Sequence, residues 1–261
     1  MNEIKLLREG PVARLSINQP AKRNAINRSM WRNISKLVDK VASDQSVRVM
    51  TIESASSGMF AAGADISEFE SNYADLETTK AVNAEIAKAV ESVAACPQPT
   101  LALIDGACIG GSVALVLACD IRVSSDKASY GVTPARLGLS YPPGDIQRLV
   151  AAMGKAAASE LLFSGLFWPA DRAAQAGLVN SVVPSADFSE YCQTLLDAIC
   201  ANSAKANRVL KKSIAQVMSD DAAQFELAET EFTRLFSSVD FEEGRDAFLQ
   251  KRVADFPSNN E

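Results

Sequence analysis

From Val12 to Ile17 apolar and polar positions alternate as V-A-R-L-S-I, and the run ends at Asn18-Gln19-Pro20, so the pattern predicts a strand closed by a turn. After Asn27, a candidate N-cap, Met30, Ile34, Leu37, Val38 and Val41 recur at helical spacing. Val47–Ile52 reads as a second strand and is followed by a Ser/Gly-rich loop from Ser54 to Gly58. A helix through Val82, Ile86, Ala89, Val90 and Val93 is stopped by Cys96-Pro97-Gln98-Pro99. Leu101–Ile104 and Ile121–Ser124 are strand-like, and Ile109–Cys119 reads as a buried helix. Alternating strands and helices predict an α/β core with parallel pairing. From Phe188 onward the pattern is helical, with breaks near Asn202–Ser203 and Ser219–Asp220. The expected organisation is a core over residues 1–187 and a helical region over 188–261 that must pack on the core or on another subunit.

Two segments stand out against this pattern: F-A-A-G-A-D-I at Phe60–Ile66 and G-A-C-I-G-G-S at Gly106–Ser112. Each follows an apolar strand-like run and opens a helix-like run, where backbone N–H groups point outward unpaired. Two such ends facing one another could hold a single oxygen, which is the design of an oxyanion hole. The spacing G-x-x-x-G-G is a poor match to the dinucleotide-binding G-x-G-x-x-G. Beyond the second segment, Val113 and Ala114 carry no proton-transfer group.

The 261 residues, 48% of them apolar, suffice for one large domain or a domain with a helical appendage. A net charge of −6 disfavours nucleic acid as a partner. An anionic ligand would therefore need a local basic patch, for which Lys22, Arg23, Lys251 and Arg252 are candidates. The chain has no histidine, which excludes Ser-His-Asp and Cys-His catalysis and zinc sites built on imidazole. Its five cysteines form no C-x-x-C pair and read as reduced, mostly buried thiols. The first residues contain no secretion-signal pattern and the longest apolar stretch is too short to span a bilayer, so a cytoplasmic protein with no membrane partner is expected.

Among polar residues, Asp145 follows Pro-Pro-Gly and precedes the helical run Ile146–Met153, a position that predicts an N-cap in preference to a general acid. Tyr141 could line a pocket or act as a polar catalyst. Asp65 is placed in a helix's first turn, Glu68 and Glu70 are expected to be solvated, and Ser112, with nothing to activate it, reads as helix packing.

The ordered motifs resemble the enoyl-CoA hydratase/isomerase (crotonase) superfamily from about Val12 to Phe256. Pro20-Ala21-Lys22-Arg23-Asn24-Ala25 matches its P-x-x-x-N-A pattern, and the two special segments, Ala118-Cys119-Asp120, Leu137-Gly138, Gln147-Arg148-Leu149, the run from Ala173 to Pro184 and the tail from Glu243 follow in register. The resemblance implies a spiral of ββα repeats with a helical C-terminal trimerisation region, assembling as a homotrimer or a dimer of trimers. It implies an oxyanion hole made by the N–H groups of Ala64 and Gly111. Coenzyme A, part of the thioester substrate and not a separate cofactor, would lie along Lys22, Arg23 and Ala25 and along Ala62, Asp65 and Ile66, with Phe248 and Lys251 reaching over, from a neighbouring subunit if not from the same chain.

The departures from the family pattern narrow the chemistry. Hydratases of the family use two glutamates, and the matching positions here are Ala114 and Pro134; a third acid, used by isomerases and dehalogenases, aligns with Pro142. The stretch Thr133–Ile146, T-P-A-R-L-G-L-S-Y-P-P-G-D-I, looks most like the methylmalonyl-CoA decarboxylase branch, with Thr133 and Tyr141 at its polar pocket positions. That branch has a histidine where Ala64 stands. The implied activity is a lyase or isomerase acting on an acyl-CoA of the fatty-acid type, with decarboxylation or a hydratase/isomerase step using other acids ahead of two-glutamate hydration. A catalytically silent acyl-CoA-binding homologue is the alternative.

Overall fold

A computed structural model describes residues 3–219 and 221–259. The chain opens with β1 (Ile4–Glu9) and β2 (Val12–Ile17), an antiparallel hairpin, then α1 (Arg28–Ser43), β3 (Val49–Ser54) and β4 (Met59–Ala61). It continues through α2 (Phe69–Asn72), α3 (Leu76–Ala94), β5 (Thr100–Ile104), β6 (Ala107–Ile109), α4 (Gly111–Leu117), β7 (Ile121–Ser125) and β8 (Ser129–Gly131). The remaining elements are α5 (Pro143–Ser164), β9 (Trp168–Pro169), α6 (Ala170–Gln175), β10 (Ser181–Val183), α7 (Phe188–Ala201), α8 (Ala204–Val217), α9 (Ala222–Leu235) and α10 (Val239–Gln250).

One unit repeats three times, as β3–β4–α3, β5–β6–α4 and β7–β8–α5. The first strand of each joins a six-stranded sheet of order β1-β2-β3-β5-β7-β10, and the second joins a four-stranded sheet of order β4-β6-β8-β9. The chain thus winds as the expected spiral of ββα turns, with parallel pairing between equivalent strands. This winding sets β4 beside β6, and so brings together two segments distant in sequence.

Helix α1 forms where its pattern predicts: the Asn27 carboxamide oxygen accepts from Met30 N at 2.8 Å, and Met30, Ile34, Val38 and Val41 face the core. Each such buried side chain stabilises by about 1.5–3 kcal/mol relative to exposure. Helix α7 covers the other side of the six-stranded sheet, where Cys192 and Leu196 pack on Val49, Leu101 and Val123. The five cysteines are buried and free. Asp120 accepts from Thr100 N at 2.7 Å and pairs with Lys211 at 2.8 Å, which ties α8 to the core.

Two features of the sequence reading need correction. Ile4–Glu9, to which the sequence reading assigned no element, is an edge strand that buries Ile4 and turns Lys5, Leu7 and Arg8 outward. The C-terminal helices have a further break at residues 236–238, where the Ser238 hydroxyl caps α10 by accepting from Phe241 N at 3.2 Å. Of the expected break at Ser219–Asp220, Asp220 lies outside the described residues, and Asp221 caps α9. No helix among the described residues is long and apolar enough to cross a membrane.

Candidate active site

The parallel pairing of β4 with β6 joins Ala61 to Cys108 in register and carries the two special segments side by side. Gly63, at φ +92°, makes the approach possible: a Cβ there would lie 2.8 Å from the Ile109 oxygen and 3.5 Å from Gly111 N. Any other residue would push the segments apart, besides being strained at that φ. Ser112 Oγ donates within reach of Ala61 O at 3.0 Å and Ile109 O at 2.8 Å and accepts from Ile109 N at 2.8 Å, a structural role in line with its sequence reading. Ala64 N and Gly111 N donate to no acceptor among the described residues. Gly111 N is free because it is the first residue of α4, and Ala64 N because the chain on either side is used instead: Ile26 N donates to Gly63 O at 2.7 Å and Asp65 N to Ile26 O at 3.1 Å. The strand in each segment proves to lie inside it, and the first segment opens a 3-10 turn, Ile66–Glu68, before α2.

The loop before α1 runs along the first segment, with Ala62 N donating to Arg23 O at 3.1 Å. Arg23 and Asn24 take left-handed conformations, at φ 53° and 55°. Asn24 is the positioning residue that the sequence reading quoted without giving a role. It is fully buried; its Oδ1 accepts from Gln19 N at 2.8 Å and its Nδ2 donates to Ser54 Oγ, Met59 O and Phe60 O. Its signal in the sequence is an asparagine, tolerant of left-handed geometry, between a proline-started turn and a helix cap. Ala25 is buried with its carbonyl taken by Gln19 Nε2, whereas Arg23 and Ile66 are exposed.

Lys22 Nζ lies 2.6 Å from Asp65 Oδ2 and 2.9 Å from Ser67 Oγ. The hydrogen bond that Lys22 donates to Asp65 raises the Lys22 pKa, and although burial works to raise that of Asp65, the donors Lys22 and Ser67 hold it below the usual range. Asp65 is the N-cap of the 3-10 turn, not a first-turn residue as expected, and accepts from Ser67 N at 3.0 Å. Glu68 also departs from expectation: its carboxylate accepts from Arg28 N at 2.7 Å, at the first turn of α1. Glu70 is exposed.

Tyr141 is buried, and its hydroxyl donates to Gly110 O at 3.0 Å, directly behind the Gly111 amide. Burial, with the Asp145 charge next, raises the phenol pKa. Asp145 is not an N-cap. Pro142 holds that position, Asp145 lies inside the first turn with its own N–H donating to Pro142 O at 3.0 Å, and no side chain caps the helix. The expected cap fails because the helix starts three residues earlier than Ile146, at Pro143, a favoured first position. Asp145 is 7% exposed, and burial raises its pKa against the pull of Arg148, whose guanidinium is 3.3 Å away and also binds Glu91. Ala114 is buried at the same end of α4, Thr133 and Pro134 are half-buried at the start of the loop, and Pro142 is exposed. Gly110 N donates to Gly131 O at 2.7 Å, which fixes β8 and the chain leading to Thr133 against the second segment.

The residues of the last helix stand apart. Phe248 is 82% exposed and Lys251 is exposed, and no hydrogen bond or ion pair among the described residues joins them to the loop at 22–25 or to the segment at 60–66. Arg252 is held by both carboxylate oxygens of Glu243, and the hydrogen bonds its guanidinium donates pull the Glu243 pKa down to about 2.

Residues 8–259 match the family model described as enoyl-CoA hydratase/isomerase. The chain belongs to the enoyl-CoA hydratase/isomerase family. A 2,3-dehydroadipyl-CoA hydratase of Escherichia coli is 33% identical over 258 residues, covering 98% of this chain and 99% of the relative. A short-chain-enoyl-CoA hydratase of Clostridium acetobutylicum is 29% identical, with 97% and 96% covered. The solved structure of a putative enoyl-CoA hydratase/isomerase family protein from Hyphomonas neptunium superposes with a TM-score of 0.93 at 37% identity, covering 98% of both chains. An enoyl-CoA hydratase/carnithine racemase from Magnetospirillum magneticum gives 0.94 at 34% identity, covering 99% of this chain and 96% of that one. The enoyl-CoA hydratase/isomerase fold therefore extends over the whole described chain, C-terminal helices included.

Proposed function

We propose that this enzyme binds an acyl-CoA thioester between the main-chain N–H groups of Ala64 and Gly111 and stabilises the enolate that forms there. The observation that carries the reading is the contact of the two segments, with both amides unspent at their meeting point. A pair of fixed donors aimed at a developing oxyanion is strongly catalytic: removal of one typically costs about 2.7–4 kcal/mol. Tyr141 acts as a positioning residue, its hydroxyl holding the Gly110 carbonyl and so the orientation of the next peptide.

Ala114 and Pro134 supply no acid or base, which favours a reaction that needs no proton taken from carbon. In decarboxylation of a malonyl-type thioester, the bond to the carboxylate breaks, CO₂ leaves, and the electron pair moves onto the thioester oxygen in the hole. The enolate then takes one proton at carbon 2. Asp145, buried with a raised pKa and beside Tyr141, is the group proposed to supply that proton, directly or through a water. Thr133 is proposed to face the acyl carboxylate. The resemblance of the 133–146 stretch to methylmalonyl-CoA decarboxylases supports the same reading, and hydration or isomerisation with Asp145 as the acid is the nearest alternative.

Coenzyme A is proposed to follow Lys22–Ala25 and Ala62–Ile66. Phe248 and Lys251 would then complete the site from another copy, in a trimer or a dimer of trimers; exposed aromatic side chains on α9 and α10, Phe225, Phe232 and Phe248 among them, support burial in an assembly. Incubation with malonyl-, methylmalonyl-, enoyl- and hydroxyacyl-CoA esters followed by mass analysis tests the proposal. Loss of CO₂ selects decarboxylation and gain or loss of water selects hydration. An isomerised product of equal mass, separated by chromatography, selects isomerisation; binding with neither a mass change nor an isomer formed would identify a silent binder and overturn the enzymatic reading.

A further inference from the structure

Asp145 is the inner end of a line of three charges that starts at the protein surface. Its Oδ1 lies 3.3 Å from Nη1 of Arg148, three residues on along α5, and Nη2 of the same guanidinium is bonded to Oε2 of Glu91, near the end of α3. Glu91 is exposed, Arg148 half-buried and Asp145 buried. A guanidinium can give one carboxylate both arms of its fork, its strongest mode of binding. Here the fork is divided between two carboxylates, and Asp145 receives a single long bond. Its Oδ2 accepts from no donor among the described residues. The other surroundings of Asp145 add no positive charge. Tyr141, on the chain before α5, presents a phenol, and α4, packed against α5, has no titratable side chain over Gly111–Leu117. Burial raises the Asp145 pKa, Arg148 lowers it by its charge and its hydrogen bond, and the charge of Glu91 raises it.

We infer that Arg148 and Glu91 are positioning residues for proton transfer by Asp145, Arg148 holding Oδ1 and Glu91 keeping Arg148 from a second bond; this rests on the decarboxylation reading above. The proton is thereby placed on Oδ2, the oxygen that the guanidinium leaves alone. In the transfer the Oδ2–H bond breaks and its electron pair stays on Asp145, while the enolate pair forms the new C–H bond at carbon 2. The carboxylate so formed faces Arg148 and regains a proton from solvent before the next turnover. Without Glu91 the fork closes on Asp145 and keeps it ionised. Without Arg148 the carboxylate left by the transfer has no counter-charge.

The test follows the Asp145 carboxyl carbon by NMR across pH in the full-length, ligand-free protein, its signal assigned by its loss in Asp145→Asn. The pH–rate profile with methylmalonyl-CoA is measured on the same variants. Turnover requires protonated Asp145, so kcat/KM falls as pH rises through its titration. Glu91→Gln removes a like charge and frees the fork, and should move both the titration and this limb to lower pH. Arg148→Gln removes the opposite charge and should move both to higher pH, while Arg148→Lys, which keeps the charge, should lie between Arg148→Gln and the wild type. A merely structural role would change stability and leave the titration in place. A titration unmoved by Glu91→Gln, or moved the same way by Glu91→Gln and Arg148→Gln, overturns the inference and leaves the proposed function intact. A titration that moves as expected while the rate profile stays put overturns Asp145 as the acid, and the inference with it. A wild type that releases no CO₂ from methylmalonyl-CoA overturns the decarboxylation reading, and the inference falls with it. Glu91 is at the surface and glutamine keeps its shape, so a folding defect in the Arg148 variants does not remove the answer.

Discussion

The Lys22 ammonium and the Asp65 carboxylate meet at 2.6 Å across the mouth of the proposed coenzyme A groove, one from the loop before α1 and the other from the cap of the turn after β4. The pair closes the loop onto the segment at 60–66. Because the Asp65 pKa is held low, its contribution to stability is complete above the ordinary aspartate range and is lost as pH falls through the depressed value. Urea melts of the wild type and Asp65→Asn should therefore differ near neutral pH and converge in strong acid. An unchanged gap in acid would separate Asp65 from this linkage. Lys22→Met should weaken CoA-ester binding about tenfold and leave the corresponding pantetheine thioester unaffected, as titrations at low salt would read.

Asp145 gives the opposite pH signature. Burial raises its pKa, so the folded state disfavours the carboxylate, and the penalty sets in as pH rises from the ordinary aspartate value to the raised one. Asp145→Asn should accordingly be relatively more stable at neutral pH than in acid. Its turnover should fall by about 10²–10⁴-fold with CoA-ester affinity retained, as for loss of a general acid. Measured rates that are unchanged, with the same pH profile, would remove Asp145 from the chemistry.

Gly63→Ala tests the geometry without touching a functional group. The added methyl would meet the Ile109 oxygen at 2.8 Å, at a φ of +92° that costs a non-glycine residue about 1–2 kcal/mol. Stability should drop by at least that amount, and turnover should drop more than binding, since the amides of Ala64 and Gly111 would separate. Equal loss of both in kinetic assays would argue that the two amides do not act on the transition state.

The exposed apolar side chains of α9 and α10 make the assembly testable. Phe248 is 82% exposed and Leu249 72%, an apolar surface that the proposed assembly would cover. Sedimentation should report a trimer or hexamer for the wild type and smaller species for Leu249→Glu. If Phe248 also completes the site, Phe248→Ala should raise KM in assemblies that remain intact.

Much of the spiral was legible because its elements are strongly periodic: β2, α1, α3, β5 and β7 appear within a few residues of where apolar spacing puts them. The two special segments were legible as a pair because glycine and alanine runs between a strand and a helix have few other uses. What the sequence hid were side chains whose partners lie far along the chain. Glu68 looks solvated until α1 presents the Arg28 amide, and Asp145 looks like a cap until Pro143 starts the helix ahead of it. Asn24 was quoted as a motif letter, yet its ties to Ser54, Met59 and Phe60 join a loop to a strand that only folding brings near.

Ser112 bonds Ala61 on one strand and Ile109 on the other from a single hydroxyl, beneath the surface that any ligand can reach. The span between the two amides is consequently fixed from below, and substitutions along the loop at 133–146, proposed to line the acyl pocket, can reshape it while that span stays the same. Under the proposed function, a chain constructed this way can carry an alanine at 114 and a proline at 134 where its relatives would place acids, and still keep one constant device for holding a negatively charged oxygen.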